Sequence, residues 1–247
     1  GRFLRQFDRN GAIDPWLNTY TTLFSGNNYI NLYERAYGEF AYNKQYGDRL
    51  SATFRAGYED RRAVANSANN NWFGLDDEEV YEENAPEGTV LGQVTAVSPA
   101  ATAQLNLAWR PGLKFQIENG KRRVLELSAP TVELEIEQGF AGIGNSTADF
   151  TRLQLGYEHR FDVGRRGKVD LLVRAGSFLN NNEVDFPDFR HFATTELTIT
   201  NPDPIANYRL LPYYQESTNE EYAEVYAHYQ FRKFLLTQIN YLHLKGL

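Results

Sequence analysis

Residues 131–140 read TVELEIEQGF, a stretch in which apolar and acidic side chains alternate. Apolar side chains stand at positions 132, 134, 136 and 140, and glutamates stand at 133, 135 and 137. Successive side chains of a β-strand point to opposite faces, so this stretch predicts a strand with one apolar face and one charged face.

The same alternation recurs at 51–61, 101–110, 151–161, 168–179 and 222–231, and less cleanly at 29–45. These runs are longer than the ~5–6 residues of most soluble strands and near the ~9–11 residues with which a tilted strand crosses a bilayer. The connections at 46–48 and 163–167 are short, whereas those at 62–99 and 180–220 are long and polar. Short turns on one rim and long loops on the other are typical of outer-membrane barrels.

The sequence therefore predicts an all-β fold, a transmembrane antiparallel up-and-down β-barrel, of which residues 1–247 are an incomplete portion. We expect loops 62–99 and 180–220 on the extracellular rim. Segment 111–130 has an Asn-Gly turn between two apolar runs, which predicts an accessory periplasmic hairpin. Residues 1–28 are expected to be a strand end or plug-side segment followed by a turn. A soluble sandwich is the alternative, because it also hides one face from water.

We expect that the strands of this chain do not close a wall by themselves. Gly1 follows neither an initiator Met nor a signal sequence, and residues 237–244 look like a further strand. An open edge in lipid would leave backbone groups unpaired at several kcal/mol each. The expectation is about eight or nine long strands with a gap, or with edges capped from outside the chain. A ladder joining 29–45 directly to 237–247 would contradict it.

The alternation assigns side chains to two faces. Those expected to face lipid are Leu105, Leu107, Leu134, Ile136, Leu153, Leu155, Leu171, Val173 and Val225. Those expected to face the lumen are Arg55, Glu133, Glu135, Glu137, Arg152, Glu158, Arg160, Asp170, Arg174 and His228. The charged set either lines a selective pore or forms a cross-strand ladder of ion pairs that fills a closed interior, and we favour the ladder.

Composition narrows the function classes. Cysteine is absent, which removes disulfides, thiolate metal sites and cysteine nucleophiles. The net charge of -7 and the scattered basic residues argue against nucleic acid as a partner. Tyrosine outnumbers tryptophan 16 to 3, a bias that suits an interfacial girdle. No run of 18 apolar residues occurs in the sequence, so a membrane-spanning form would have to be a barrel.

Two groups of residues carry side chains that could support metal binding or catalysis. Acids at 76–79, 82 and 83 could gather Ca²⁺, but they lack the spacing of a dedicated loop, and a solvated acidic loop is the simpler interpretation. The four histidines, His159, His191, His228 and His243, show no metal-ligand spacing. The sequence therefore predicts no metal site, no cofactor and no catalytic residue.

Several stretches together resemble one family. They are 27–34 (NNYINLYE), 57–62 (GYEDRR), 176–181 (GSFLNN), 186–192 (FPDFRHF) and 208–214 (YRLLPYY) with Ser217 and Thr218. They are similar to Bacteroidota outer-membrane barrel proteins of uncharacterised function that carry an N-terminal carboxypeptidase-regulatory-like domain. Residues 233–240 (KFLLTQIN) depart from the family's Gly-Phe-Leu-Leu-Asn-Lys-Ile-Pro-like ending. The resemblance implies a location and an architecture, and it carries over no catalytic residue.

The leading hypothesis is a non-enzymatic barrel of the bacterial outer membrane, a structural or accessory subunit of an envelope assembly, export or surface-display complex. Its expected partners are outer-membrane lipid and other envelope proteins. A channel or uptake protein with a polar lumen is the alternative. A membrane-embedded lipid hydrolase or acyltransferase is the third hypothesis, and it requires a Ser, a His and an acid to converge near one rim.

Overall fold

The computed structural model describes residues 1–8, 13–25, 28–64, 98–124, 129–164, 167–195, 208–209, 211 and 213–231. Its elements are β1 (Phe3–Gln6), α1 (Pro15–Ser25), β2 (Leu32–Tyr46), β3 (Leu50–Ala63), β4 (Ala100–Trp109), β5 (Phe115–Glu118), β6 (Lys121–Val124), β7 (Thr131–Gly139), β8 (Asp149–Val163), β9 (Gly167–Glu183), β10 (Thr194–Thr195), β11 (Tyr208–Arg209) and β12 (Glu221–Phe231). A single 3-10 turn covers Phe186–Asp188.

One antiparallel sheet dominates the fold. Its eight strands follow the order β1-β2-β3-β4-β7-β8-β9-β12 and curve into a half-barrel. Each long strand pairs with the next long strand along the chain, which is the meander that the repeated alternation predicts. The all-β, antiparallel part of the predicted fold class is therefore confirmed. Insertion into a membrane remains a prediction.

The two ends of the strands differ in their connections. At one end, which we call the short-turn rim, β2 and β3 are joined through Gly47 at φ +65° and β8 and β9 through Gly164 at φ +57°. The hairpin β5–β6 leaves the same rim and turns on Asn119 and Gly120, both at positive φ, as a two-residue hairpin turn requires. The opposite end, the long-loop rim, carries the connections that follow β3, β7 and β9.

Residues 1–28 contain the short edge strand β1, which agrees with the expected strand end, and helix α1, which the sequence did not predict. Asp14 begins the helix, because its Oδ1 accepts hydrogen bonds from the backbone N–H groups of Trp16 at 2.7 Å and Leu17 at 3.4 Å. Pro15 occupies the first helical position, where its missing N–H costs nothing. No helix in the described ranges is long and apolar enough to span a membrane.

The buried core lies near the long-loop rim rather than along the sheet. One cluster joins Phe7 and Ile13 to Ile30 and Tyr33, and adds Phe186, Tyr213 and Tyr214 from the connection after β9. A second cluster is centred on Phe150, which is fully buried against Gly139; a Cβ at that glycine would come within 2.7 Å of the ring. Burying side chains of this size contributes roughly 1.5–3 kcal/mol each.

Several expectations fall outside the described residues. They concern the acidic run 76–83, most of loop 62–99, residues 196–207 of loop 180–220, His243, and any pairing of 237–247 with the 29–45 region.

Candidate functional site: the polar face and its covering segment

The strand register sorts the long strands into two faces. Glu137 lies opposite Arg152 and Gln104, whereas Leu134 lies opposite Leu155 and Leu107. By the same pairing, one face holds Arg55, Glu133, Glu135, Glu137, Arg152, Glu158, Arg160, Asp170, Arg174 and His228, and the other holds Leu105, Leu107, Leu134, Ile136, Leu153, Leu155, Leu171, Val173 and Val225. We call these the polar face and the apolar face.

The polar face is the inner one. Its Glu137 and Asp170 are 1% and 3% exposed, whereas Leu155 and Val225 on the apolar face are 57% and 60% exposed. This exposure is the reverse of what a soluble sandwich would show, since a sandwich buries its apolar face. Whether the apolar face meets lipid and the polar face a lumen remains a prediction.

Ion pairs connect neighbouring strands across the polar face. Arg152 on β8 pairs with Glu135 at 2.9 Å and with Glu137. Arg160 pairs with Asp170, which also lies 3.6 Å from His228 Nδ1 on β12. Arg174 pairs with Glu224 at 3.2 Å, as opposite charges on adjacent strands can.

Three residues of the predicted lumen-facing set are not part of this ladder. Arg55 donates only to the neutral Gln104 side chain, at 3.4 Å, and within the described ranges Glu133 and Glu158 form no ion pair. The structure therefore brings together six of the ten predicted residues in ion pairs and places His228 beside Asp170, and the other three lie on the same face.

A segment that follows β9 folds over the polar face at the long-loop rim. We call residues 184–192 the covering segment, and its Phe186, Pro187 and Asp188 are buried. The two carboxylate oxygens of Asp188 accept hydrogen bonds from Arg61 Nη1 at 2.6 Å and Nη2 at 2.7 Å. Both side chains are at most 2% exposed, so this bidentate pair is shielded from water. Arg61 is itself positioned by Glu59, 3.1 Å from its Nε.

The covering segment is also attached to the far end of the sheet. Arg190 Nη2 donates to Glu224 on β12 at 2.6 Å, and the backbones of Arg190 and Thr218 exchange two hydrogen bonds. Tyr226 donates to the other oxygen of Glu224 at 3.2 Å, which completes the surroundings of this 2% exposed carboxylate. Because Arg61 lies on β3 and Glu224 on β12, the covering segment spans the arc of the half-barrel.

His191 joins the covering segment to the turn before β12. Its Nδ1 lies 2.8 Å from Ser217 Oγ, and its Nε2 lies 2.9 Å from the carbonyl oxygen of Phe186. That carbonyl can only accept, so Nε2 carries a proton, and in the neutral imidazole Nδ1 accepts from the Ser217 hydroxyl. The arrangement has the Ser and His of the hydrolase hypothesis, but a backbone carbonyl stands where a catalytic triad has its carboxylate. His191 is 5% exposed and packs edge-on against Phe186 and Tyr214.

Burial raises the pKa of one group in the covering segment and of one group beside it. It raises the pKa of Asp185, whose Oδ2 accepts the backbone N–H of Ser98 at 2.7 Å and thereby opposes the rise. It also raises the pKa of Tyr214, whose hydroxyl accepts the backbone N–H of Asp8 at 3.4 Å. Both pKa values rise because the side chains lose contact with water. Asp185 links the covering segment to Ser98, and Tyr214 links the turn before β12 to Asp8.

A cavity of about 330 Å³ lies between the covering segment and the sheet. Phe189, Arg190 and His191 line it on the side of the covering segment. Its sheet side includes Glu39, Arg55, Glu59, Gln104, Glu137 and Arg152. No group of three or more metal-ligating side chains occurs among the residues that the structure describes.

The sequence did not single out the residues that hold the covering segment. Arg61 and Glu59 belong to the polar set of residues 51–61 and to the GYEDRR stretch of the family resemblance, and Glu224 belongs to the polar set of 222–231. Their sequence positions do not mark them as partners of a loop. Asp188, Arg190 and His191 lie in the FPDFRHF stretch, which is the most specific part of the family resemblance. That resemblance was the available signal.

Comparisons with known proteins give one match. The model for the family of unknown function (DUF5686), C-terminal domain, matches residues 1–247. No curated protein matches the chain, and no solved structure does.

Proposed function

The chain belongs to the DUF5686 C-terminal domain family of unknown function, and we propose that it forms the wall of an outer-membrane β-barrel whose interior is closed. In this proposal the protein is non-enzymatic. It serves as a structural or accessory subunit of an envelope assembly, export or surface-display complex, and its partners are outer-membrane lipid and other envelope proteins.

The apolar face supports insertion into lipid. Leu155 and Val225 are more than half exposed near the middle of their strands. Towards the short-turn rim the same face exposes Tyr42, Tyr46 and Trp109, as an aromatic girdle at a bilayer interface would. An apolar surface that follows strand after strand of a sheet is far larger than a monomeric soluble protein normally leaves in water.

The polar face supports a closed interior, and one observation carries this part of the proposal. The covering segment is fastened to two distant strands of the arc, to β3 by the pair Asp188–Arg61 and to the edge strand β12 by the pair Arg190–Glu224. Below it, charges pair across the strands instead of facing a wide aqueous path. Such an interior suits a wall or scaffold better than a pore.

The family resemblance supplies the finer part of the proposal. It implies a Bacteroidota outer membrane and an N-terminal carboxypeptidase-regulatory-like domain in the complete protein. Neither implication names a reaction, which agrees with a role in assembly or display.

Conductance in planar bilayers tests the closed interior. We expect the reconstituted full-length protein to give no discrete current steps under conditions in which a porin conducts. Steady single-channel currents from the wild-type protein would overturn the closed-interior part of the proposal.

Cross-linking in native membranes, followed by mass spectrometry, tests the accessory role. We expect the same envelope protein to be cross-linked to the wild-type protein in repeated preparations. We expect that cross-link to be lost in Asp188→Asn, which disrupts the covering segment.

A channel or uptake protein is the second candidate, and the cavity of about 330 Å³ favours it. It predicts currents or solute uptake by the wild-type protein.

The third hypothesis, a lipid hydrolase, has the Ser217–His191 contact in its favour. A fluorophosphonate probe separates it from the others, because an activated Ser217 would be labelled and a structural one would not.

A further inference from the structure

Two charged side chains that line the cavity, Glu39 and Arg55, form no ion pair within the described residues. Glu59 is held by Arg35 at 2.6 Å, Glu135 and Glu137 by Arg152, and Arg190 by Glu224. Within the described residues, Glu39 forms no ion pair, and Arg55 has only the weak contact with the Gln104 amide. An acid and a base that form no ion pair among the described residues therefore line the same cavity, and both side chains are exposed to solvent.

The strand register explains why both charges are left over. The residue directly opposite Glu39 is Gly57, and the residue directly opposite Arg55 is Ala41. On its other side Arg55 faces Gln104, which is neutral. Arg152, Arg160 and Arg174 meet acids across neighbouring strands, whereas glycine and alanine occupy the positions directly opposite Glu39 and Arg55.

The small residues also leave room. Glu39 and Arg55 are diagonal neighbours on β2 and β3, a relation that puts their Cβ atoms roughly 7–8 Å apart. Gly57 contributes no side chain to the space between them, and Phe189, Arg190 and His191 lie across the cavity. The volume of about 330 Å³ is at the small end of the range of ligand pockets.

We propose that this cavity binds a small zwitterion, with its anionic group on Arg55 and its ammonium group on Glu39. A guanidinium binds carboxylates and phosphates through paired N–H donors, and a carboxylate accepts from an ammonium. The charges already paired around the cavity hold the walls in place and do not compete for the ligand. The proposal does not depend on whether the protein conducts.

Calorimetric titration of the full-length protein in detergent tests this. The probes are L-alanyl-L-alanine and phosphoethanolamine, which carry an ammonium with a carboxylate or a phosphate. N-acetyl-L-alanine and L-alanine amide each lack one charge. We expect saturable binding of at least one zwitterion, and binding of the single-charge analogues weaker by roughly tenfold or more. The stronger zwitterion shows whether the anionic group is a carboxylate or a phosphate.

Glu39→Gln and Arg55→Gln should each weaken zwitterion binding by a similar factor, whereas Arg62→Gln, on the apolar face of the same strand as Arg55, should leave it unchanged. Failure of both zwitterions to bind, or binding of the single-charge analogues as tight as theirs, would overturn the proposal. An equal loss in Arg62→Gln would do the same. The comparison of analogues uses only wild-type protein and so does not depend on how the variants fold. A negative result would leave the proposed barrel wall standing, because the titration needs no bilayer.

Discussion

Arg61 and Asp188 lie 127 residues apart in the chain, yet their side chains form a bidentate ion pair with contacts of 2.6 and 2.7 Å. The pair connects strand β3 to the covering segment, and both partners are almost completely buried. A buried pair of this kind gives little net stability over an apolar substitute, but loss of one partner leaves an uncompensated charge away from water.

Asp188→Asn should therefore lower the free energy of unfolding in detergent by about 3 kcal/mol, at the low end for a broken buried pair because Glu59 still contacts Arg61. The control is Asp60→Asn, which removes a carboxylate that pairs with Arg2 and is 39% exposed. This change should lower the free energy of unfolding by about 1 kcal/mol or less. The double variant Arg61→Leu with Asp188→Leu should recover most of the loss. Equal effects of Asp188→Asn and Asp60→Asn in denaturant titrations would contradict the role assigned to the pair.

The apolar face gives a prediction about charge and depth. Leu155→Arg places a charge in the middle of β8. It should lower the free energy of unfolding in a bilayer by ~2–4 kcal/mol and lower the yield of assembled protein. Val163→Arg lies on the same face at the short-turn end of that strand and should cost ~0–1 kcal/mol. Unfolding of both variants in lipid vesicles compares them. Similar costs at the two positions would argue against a bilayer around this face.

The covering segment should respond to pH through Asp185. Because burial raises the pKa of Asp185 above the ordinary ~3.9, the folded state holds this proton more tightly than the unfolded state does. The contribution of Asp185 to the free energy of unfolding is fully present below pH ~3.9, and it is lost as the pH rises through the raised pKa of the folded state. Asp185→Asn should remove that loss, so the variant should gain stability relative to wild type as the pH increases across this window. Unfolding free energies that run parallel for the two proteins would contradict the assignment.

The strands and their faces were predictable because they follow from a period of two within single segments, as in residues 131–140. Helix α1 was missed although Asp14 and Pro15 are ordinary start signals, because its 11 residues carry no charged side chain to mark an outer face. The covering segment could not be predicted. It lies in connection 180–220, whose polar composition as a whole indicates a surface loop. Its burial depends on Arg61 and Glu224, which are distant in sequence and lie near it only in the folded sheet.

The orientation of the barrel remains a prediction, and protease treatment of intact cells tests it. Cleavage should occur first in 62–99 and 180–220, since long loops belong on the extracellular rim. The hairpin β5–β6 and the turn at 163–167 should resist cleavage until the cells are opened. Early cleavage at 163–167 would mean that the short-turn rim faces outward.

The central claim is that the apolar face of this sheet is surrounded by lipid, and the absence of cysteine makes it directly measurable. Single variants Leu153→Cys, Gln154→Cys, Leu155→Cys and Tyr157→Cys would each carry one nitroxide spin label in protein reconstituted into vesicles. Collision rates with oxygen, which concentrates in the bilayer, and with a water-soluble nickel chelate would then be compared by electron paramagnetic resonance. The proposed arrangement predicts high oxygen and low nickel access at 153, 155 and 157, and lower oxygen access at 154. High nickel access at 153, 155 and 157, or no alternation along β8, would contradict it.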